Sequence, residues 1–130
     1  MVPGTHSHSV RVAKDLMLIN HEYISPQIAP QDFKAGLGIY DVSDPKKPKK
    51  ITDWVTPGKG CHRFDFDGDY AYTSATEEGY VGTIMKLIDL RTPSTPTAVG
   101  RWHLPGPWNA GGETPTRPAT RPPRPPPSRR

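Results

Sequence analysis

The sequence has little of what would build a large hydrophobic core, a cross-linked fold or a membrane anchor. Only 33% of its 130 residues are hydrophobic, and one cysteine, Cys61, cannot form a disulfide within the chain. No apolar run approaches the roughly 20 residues that a membrane-spanning helix needs. The first ten residues, MVPGTHSHSV, lack the charged start and apolar centre of a signal peptide, so the sequence assigns no compartment.

The hydrophobic residues are also missing from one end of the chain. Residues 113–130 contain seven prolines, five arginines and no large aliphatic or aromatic side chain. Such a composition cannot bury a core, so it predicts a disordered tail. The rest of the chain has twelve basic and twelve acidic residues. Because the net positive charge belongs to the tail, we expect no nucleic-acid binding by the folded part.

What the sequence does have is an internal repeat. Residues 39–58, IYDVSDPKKPKKITDWVTPG, recur forty-eight residues later as LIDLRTPSTPTAVGRWHLPG. Six positions are identical, namely Asp41 and Asp89, Pro45 and Pro93, Pro48 and Pro96, Trp54 and Trp102, Pro57 and Pro105, and Gly58 and Gly106. A period of about fifty residues predicts one supersecondary unit used twice. Trp54 and Trp102 should then occupy equivalent positions in the two units.

Each unit is predicted to contain four antiparallel strands. Alternating apolar residues and turn signals favour strands at 8–13, 16–23, 37–42 and 50–56, and again at 62–67, 70–75, 84–90 and 98–104. Asp67-Gly68 favours a type I′ hairpin turn. Earlier positions align at an offset of fifty-four, which predicts a six-residue insertion within 21–36.

This pattern is typical of β-propeller blades. We therefore expect an all-β protein with one blade at 2–57, a second blade and the start of a third at 58–112, and the disordered tail at 113–130. An eight-stranded β-sandwich is the alternative, although a sandwich does not require its halves to repeat each other.

Three segments carry a resemblance to a known family: GIYDVSDPKKPKK, KGCHRFDFDGDYAYTS and PGPWNAGGE. With them the chain resembles the LVIVD-repeat β-propeller proteins of bacteria and archaea. The resemblance implies a ring of several blades, whereas this chain supplies two and the first residues of a third. On that basis we expect a truncated or frame-shifted product.

The topology of a blade places the candidate functional residues on one loop-rich face. Connections from the fourth strand of one blade to the first of the next, and from second to third strands, emerge on the same side. The candidates there are His6, His8, His21, Glu22, Cys61, His62, Glu77 and Glu78. His8 and His62 are equivalent by the repeat and begin the innermost strands, so they are candidate ligands for a transition metal. Alternatively, they hydrogen-bond to the neighbouring blade's backbone.

Two functional hypotheses follow. One is a noncatalytic binding or scaffold domain that uses the loop-rich face on a protein or polymer partner. The other is a metal-assisted oxidoreductase, because the chain is distantly similar to the selenium-binding protein (methanethiol oxidase) propellers, whose histidines are associated with metal and thiol chemistry. Cys61 is then either a reactive thiol or a half-buried filler of the core.

Two blades alone also predict self-association. Each would leave one blade face uncovered, exposing apolar side chains drawn from Val10, Val12, Leu16, Leu18, Phe64, Phe66, Tyr70 and Tyr72. Each exposed side chain forgoes roughly 1.5–3 kcal/mol of burial free energy. We therefore expect a marginally stable chain that associates through these faces.

Overall fold

The computed structural model describes residues 2–25 and 27–104. The predicted disordered tail, 113–130, and the segment PGPWNAGGE lie outside the described residues. The described residues form nine β-strands in two antiparallel sheets, and no helix is found among them. Accordingly, this part of the chain contains no helix that could cross a membrane. The prediction of an all-β fold is confirmed.

Sheet 1 is built from the first five strands. They are β1 (Thr5–His6), β2 (Val10–Ala13), β3 (Leu16–Tyr23), β4 (Gly36–Asp41) and β5 (Lys49–Val55). The strand order is β1-β3-β4-β5, and β2 also pairs with β3. Since β4 occupies the other edge of β3, β1 and β2 are two parts of one interrupted innermost strand.

Sheet 2 is a four-stranded meander. Its strands are β6 (Cys61–Phe66), β7 (Tyr70–Thr76), β8 (Thr83–Asp89) and β9 (Thr97–Trp102), in the order β6-β7-β8-β9. All eight predicted strands are therefore present. Only β1 was not predicted, because two residues are too few to show an alternating pattern.

The two sheets repeat each other in register. Trp54 lies opposite Leu37 in sheet 1, and Trp102 lies opposite Met85 in sheet 2. Both members of the second pair follow the first by forty-eight residues. The two tryptophans thus occupy equivalent positions, as the repeat predicts. Their environments differ, since Trp54 is 7% exposed and Trp102 is 59% exposed.

The irregularities of the sheets repeat as well. A β-bulge interrupts the third-to-fourth strand pairing between Ile39 and Tyr40 in sheet 1. An equivalent bulge lies between Leu87 and Ile88 in sheet 2. Because a bulge increases local twist, its presence at the same position gives both sheets a similar curvature.

One turn differs from its prediction. The hairpin between β6 and β7 is closed by a hydrogen bond from the Asp67 N–H to the Tyr70 carbonyl, with Gly68 and Asp69 at its centre. Only Gly68, at φ 104°, has a positive φ there. A type I′ turn needs two such residues, so that assignment is wrong. Lys14, at the equivalent position of the first hairpin, also has positive φ, at 53°.

A hydrophobic core lies between the sheets. Sheet 1 contributes one face of β3, β4 and β5, and sheet 2 contributes the facing side of β6, β7 and β8. The buried side chains are Leu18, Leu37, Ile39 and Trp54 on one side and Cys61, Phe64, Phe66, Ala71, Ala75, Ile88 and Leu90 on the other. The sheets are therefore held together chiefly by apolar burial.

This core corrects part of the predicted set of exposed apolar side chains. Leu18, Phe64 and Phe66 are buried, because they lie on the faces that the two sheets turn toward each other. Val10, Val12 and Tyr72 are exposed, because they lie on the opposite faces.

Candidate metal centre

The candidate site is formed where the innermost strand of each sheet is irregular. In sheet 1, His8 lies in the gap between β1 and β2. In sheet 2, Cys61 pairs with Ala75 and Arg63 with Ser74, which leaves His62 as an extra residue in β6. Such interruptions redirect side chains out of the regular alternation. They bring two histidines that are fifty-four residues apart in the sequence to the same edge of the fold.

Three potential metal ligands converge at this edge. One ligand atom from each of His6, His8 and Glu22 lies within 4.8 Å of the other two. His6 and Glu22 lie opposite each other in the β1–β3 pair. The His6 and His8 rings have centroids 4.5 Å apart. We call this group, His6, His8 and Glu22, the His–Glu cluster.

His62 joins the His–Glu cluster from sheet 2. Its Nδ1 lies 3.0 Å from Oε2 of Glu22, and its ring centroid is 5.2 Å from that of His8. The Glu22 side chain is 16% exposed, whereas that of His62 is 50% exposed. The carboxylate is thus held in place by a histidine that remains open to solvent.

The side chain of Asn20 holds the backbone next to the His–Glu cluster. The sequence did not point to this residue as part of the site. Its side chain, fully buried, accepts hydrogen bonds from the backbone N–H groups of His8 and Ser9 at 3.0 and 2.9 Å. Its amide donates to the carbonyls of Cys61 and His62 at 3.1 and 3.4 Å. One side chain therefore satisfies the backbone groups freed by both strand irregularities. The available signal was a polar residue on the apolar face of β3, after Leu16 and Leu18.

The backbone also joins the sheets beside the cluster. Glu22 and Gly60 form an isolated antiparallel bridge between sheet 1 and the start of sheet 2. The Tyr23 N–H donates to the Lys59 carbonyl at 2.9 Å. These contacts fix the backbone of Glu22, a candidate ligand, against the second sheet. We call this region, Glu22 and Tyr23 against Lys59 and Gly60, the seam.

His21 does not join the cluster. Neighbouring residues of a strand point to opposite faces, so His21 and Glu22 cannot share one. The His21 ring lies on the other face of β3, where Nδ1 is 3.1 Å from the Ser7 hydroxyl and the ring packs edge-on against Phe33. Burial lowers the pKa of His21, an effect that nearby Asp53 opposes.

The other two acidic candidates also lie elsewhere. Glu77 forms ion pairs with Lys86 at 2.9 Å and with Arg101 at 2.8 Å, so its carboxylate is committed to sheet 2. Glu78 is exposed in the connection between β7 and β8. Neither belongs to the group of ligand atoms around Glu22.

Cys61 has the environment of a core residue. Its side chain is 0% exposed, and Sγ is within hydrogen-bonding distance of the Thr73 hydroxyl. Burial raises the pKa of the Cys61 thiol to about 11. A thiol must ionise to act as a nucleophile, so this environment disfavours the reactive-thiol hypothesis.

The alternative prediction was that His8 and His62 hydrogen-bond to the backbone of the neighbouring unit, and this is not observed among the described residues. In the described part of the chain, the side-chain hydrogen bonds of His8 and His62 go to Asn20 and Glu22. Neither ring bonds to the backbone of the other sheet there. What the geometry offers is two imidazoles and one carboxylate at a solvent-accessible edge, with a third imidazole behind the carboxylate.

Comparisons of the chain with protein-family models, with curated proteins and with solved structures find no match. The class of the molecule is therefore the one that its fold defines, a repeated all-β protein of two packed antiparallel sheets. The resemblances to the LVIVD-repeat and selenium-binding families stay predictions.

Proposed function

We propose that this protein is a noncatalytic binding protein whose ligand is a divalent transition-metal ion held by the His–Glu cluster. The observation that carries the proposal is the convergence of the His6, His8 and Glu22 ligand atoms within 4.8 Å. The site lies on the loop-rich face, which remains our candidate surface for a protein or polymer partner. On the same proposal, the two sheets are successive blades of a propeller.

The donor types support a transition metal rather than calcium or magnesium. Imidazole nitrogen suits zinc, copper, nickel and iron, whereas calcium and magnesium prefer oxygen ligands. Two histidines and one glutamate are also a known ligand set of zinc sites. We therefore expect zinc and its neighbours to bind, and calcium and magnesium not to compete.

Metal binding requires the ligand atoms of the His–Glu cluster to move only a short distance. Ligands at about 2.0–2.2 Å from a tetrahedral metal lie roughly 3.4 Å from one another. The cluster must therefore tighten from separations of up to 4.8 Å. His8 is exposed and can rotate toward the ion, while the better buried Glu22 is held by His62. His62 thereby acts as the outer hydrogen-bonding partner that ligating carboxylates usually have.

A metal titration tests this function. The full chain, freed of metal with a chelator, is titrated with zinc by calorimetry and with cobalt by visible absorption. We expect one equivalent to bind, and His6→Ala, His8→Ala and Glu22→Gln each to weaken binding by about tenfold or more. His103→Ala is the matched control, because that imidazole packs on Tyr80, away from the cluster.

Two results would overturn the proposal. One is saturation at the same metal concentration by the wild type and by a triple variant that combines His6→Ala, His8→Ala and Glu22→Gln, which would place the metal elsewhere. The other is an equal loss in the His103→Ala control. Circular dichroism of each variant separates a lost ligand from a lost fold.

A second candidate, a metal-assisted oxidoreductase, is favoured by one feature of the site. Three protein ligands leave coordination positions open to a small molecule, as catalytic sites require. Oxygen consumption by the copper- or iron-loaded protein, with a small thiol oxidised to its disulfide and oxygen reduced to hydrogen peroxide, would support it if Glu22→Gln abolished it. Cys61 is not assigned a role in that reaction because it is buried.

A further inference from the structure

The outer face of sheet 2 exposes a set of large apolar side chains. Tyr72, Met85 and Trp102 are 42%, 48% and 59% exposed, and Leu87 lies among them. The strand registers place Tyr72 opposite Leu87 and Met85 opposite Trp102. All four therefore share one face, directed away from the core. We call it the open face of sheet 2.

By the internal repeat, the open face of sheet 2 is equivalent to the face of sheet 1 that is buried against sheet 2. Each of its four residues has a counterpart on the face of sheet 1 that packs against sheet 2. The equivalent pairs are Leu18 and Tyr72, Leu37 and Met85, Ile39 and Leu87, and Trp54 and Trp102. The open face of sheet 2 is thus the same type of surface as one side of the existing core, but residues 2–25 and 27–104 place no second sheet against it.

The outward side of sheet 1 is equivalent to the face of sheet 2 that packs against sheet 1. This outward side carries the exposed Val10 and Val12 and the half-buried Met17 and Tyr40, and we call these four residues the open face of sheet 1. Their equivalents in sheet 2 are Phe64, Phe66, Ala71 and Ile88, which fill the core. Val10 and Val12 are 49% and 61% exposed. The chain therefore displays both complementary surfaces of its own internal interface.

The charged residues of the internal interface are also related by the repeat. Across the internal interface, Nε of Arg11 lies 3.2 Å from Oδ1 of Asp65. Arg11 and Asp65 are themselves equivalent, fifty-four residues apart. A second copy that repeated the internal contact would bring its own Arg11 to Asp65 of the first. Opposite charges would therefore meet at the new contact as well.

We infer that two copies of this chain associate head to tail, the open face of sheet 2 docking on the open face of sheet 1 of a second copy. The contact repeats the packing that already joins the two sheets. Because the surfaces differ, each copy keeps one free face, so copies continue to add until a ring closes or an open filament forms.

Complementary surface variants test this inference in the full chain by analytical ultracentrifugation. Met85→Lys blocks one open face and Val12→Lys blocks the other, and both positions are exposed, so each chain should still fold. We expect the wild type to associate and each variant alone to be monomeric. An equimolar mixture should form a dimer containing one of each variant, and nothing larger. Val81→Lys, a similar change in the β7–β8 connection, should associate like the wild type.

Other outcomes contradict the inference. A monomeric wild type at 100-fold higher concentration than that used for the variants would show that the open faces do not recognise each other. If Val12→Lys associates like the wild type while Met85→Lys does not, the contact joins two copies of the same face. A mixture that stays monomeric excludes the head-to-tail arrangement.

Discussion

Asn20 is the residue on which the two irregular inner strands depend. Its side chain bonds to four backbone groups, two in each sheet. Asn20→Ala would leave the buried Cys61 carbonyl and three partly buried backbone groups without this partner, and an unpaired buried group costs about 1–3 kcal/mol. We expect the free energy of unfolding to fall by about 2–4 kcal/mol in urea denaturation.

Ser74 provides a matched control for Asn20. It is the equivalent residue of sheet 2, opposite Met85 as Asn20 is opposite Leu37. It lies on the open face of sheet 2, so Ser74→Ala should change stability by less than about 0.5 kcal/mol. Equal losses in the two variants would mean that Asn20 does not join the sheets.

The repeated aspartates Asp41 and Asp89 each close a turn after the third strand of a sheet. Asp41 accepts a hydrogen bond from the Ser43 N–H at 2.8 Å, which lowers the pKa of its carboxyl group. The Arg91 side chain and N–H lower the pKa of Asp89 in the same way. This shared bond explains why both copies keep aspartate here.

The lowered pKa values of Asp41 and Asp89 determine how the stability of the fold changes as the pH falls. Because the folded-state pKa values are lowered, both aspartates favour folding above the usual value of about 3.9. That contribution is lost as the pH falls through the folded-state values. We expect carboxyl titrations by NMR to show both midpoints below about 3.9. In Arg91→Ala the pKa of Asp89 should rise while that of Asp41 stays unchanged, and ordinary midpoints for both in the wild type would contradict this account.

Among the structural elements, the seam leaves no room for added volume at Gly60. Gly60 has φ 92°, and a Cβ atom there would lie 2.5 Å from the His21 carbonyl oxygen and 2.7 Å from Ala35 Cβ. Gly82 has a similar φ of 80° but open space around it. Both alanine variants carry the strain of positive φ, but only Gly60→Ala must push the sheets apart. We expect it to lose about 1–3 kcal/mol more than Gly82→Ala on urea denaturation.

Comparable losses in the two glycine variants would contradict the role of the seam. They would show that the backbone conformation alone sets the cost at both positions. The comparison is direct because the two residues differ mainly in the space around them.

At the level of elements, the repeat made most of the fold predictable. Alternating apolar residues and equivalent prolines located eight strands. The predicted blade topology placed His6, His8, His62 and Glu22 on one face, and the structure brings these four together, whereas His21, Glu77 and Glu78 lie elsewhere. The turn type at Gly68 could not be read from the Asp-Gly pair, because the pairing register decides which residues are central. The role of Asn20 depends on two strand irregularities that leave no mark on local periodicity.

At the level of the whole molecule, the sequence could not tell which apolar faces are covered. Trp54 and Trp102 are equivalent in sequence and register, yet within the described ranges a sheet packs against Trp54 and none against Trp102. Burial depends on that neighbour and not on the strand itself. The same limit applies to Cys61, whose character as a core residue comes from the contact between the sheets.

The metal ion that we propose would lie between two strands of sheet 1, with sheet 2 supporting its ligands. X-ray absorption at the zinc edge of the loaded protein tests this proposal most directly. We predict two imidazole nitrogens and one carboxylate at about 2.0–2.2 Å, and loss of this pattern in the His6→Ala, His8→Ala double variant. A sulfur ligand, or a spectrum unchanged in the double variant, would contradict the account.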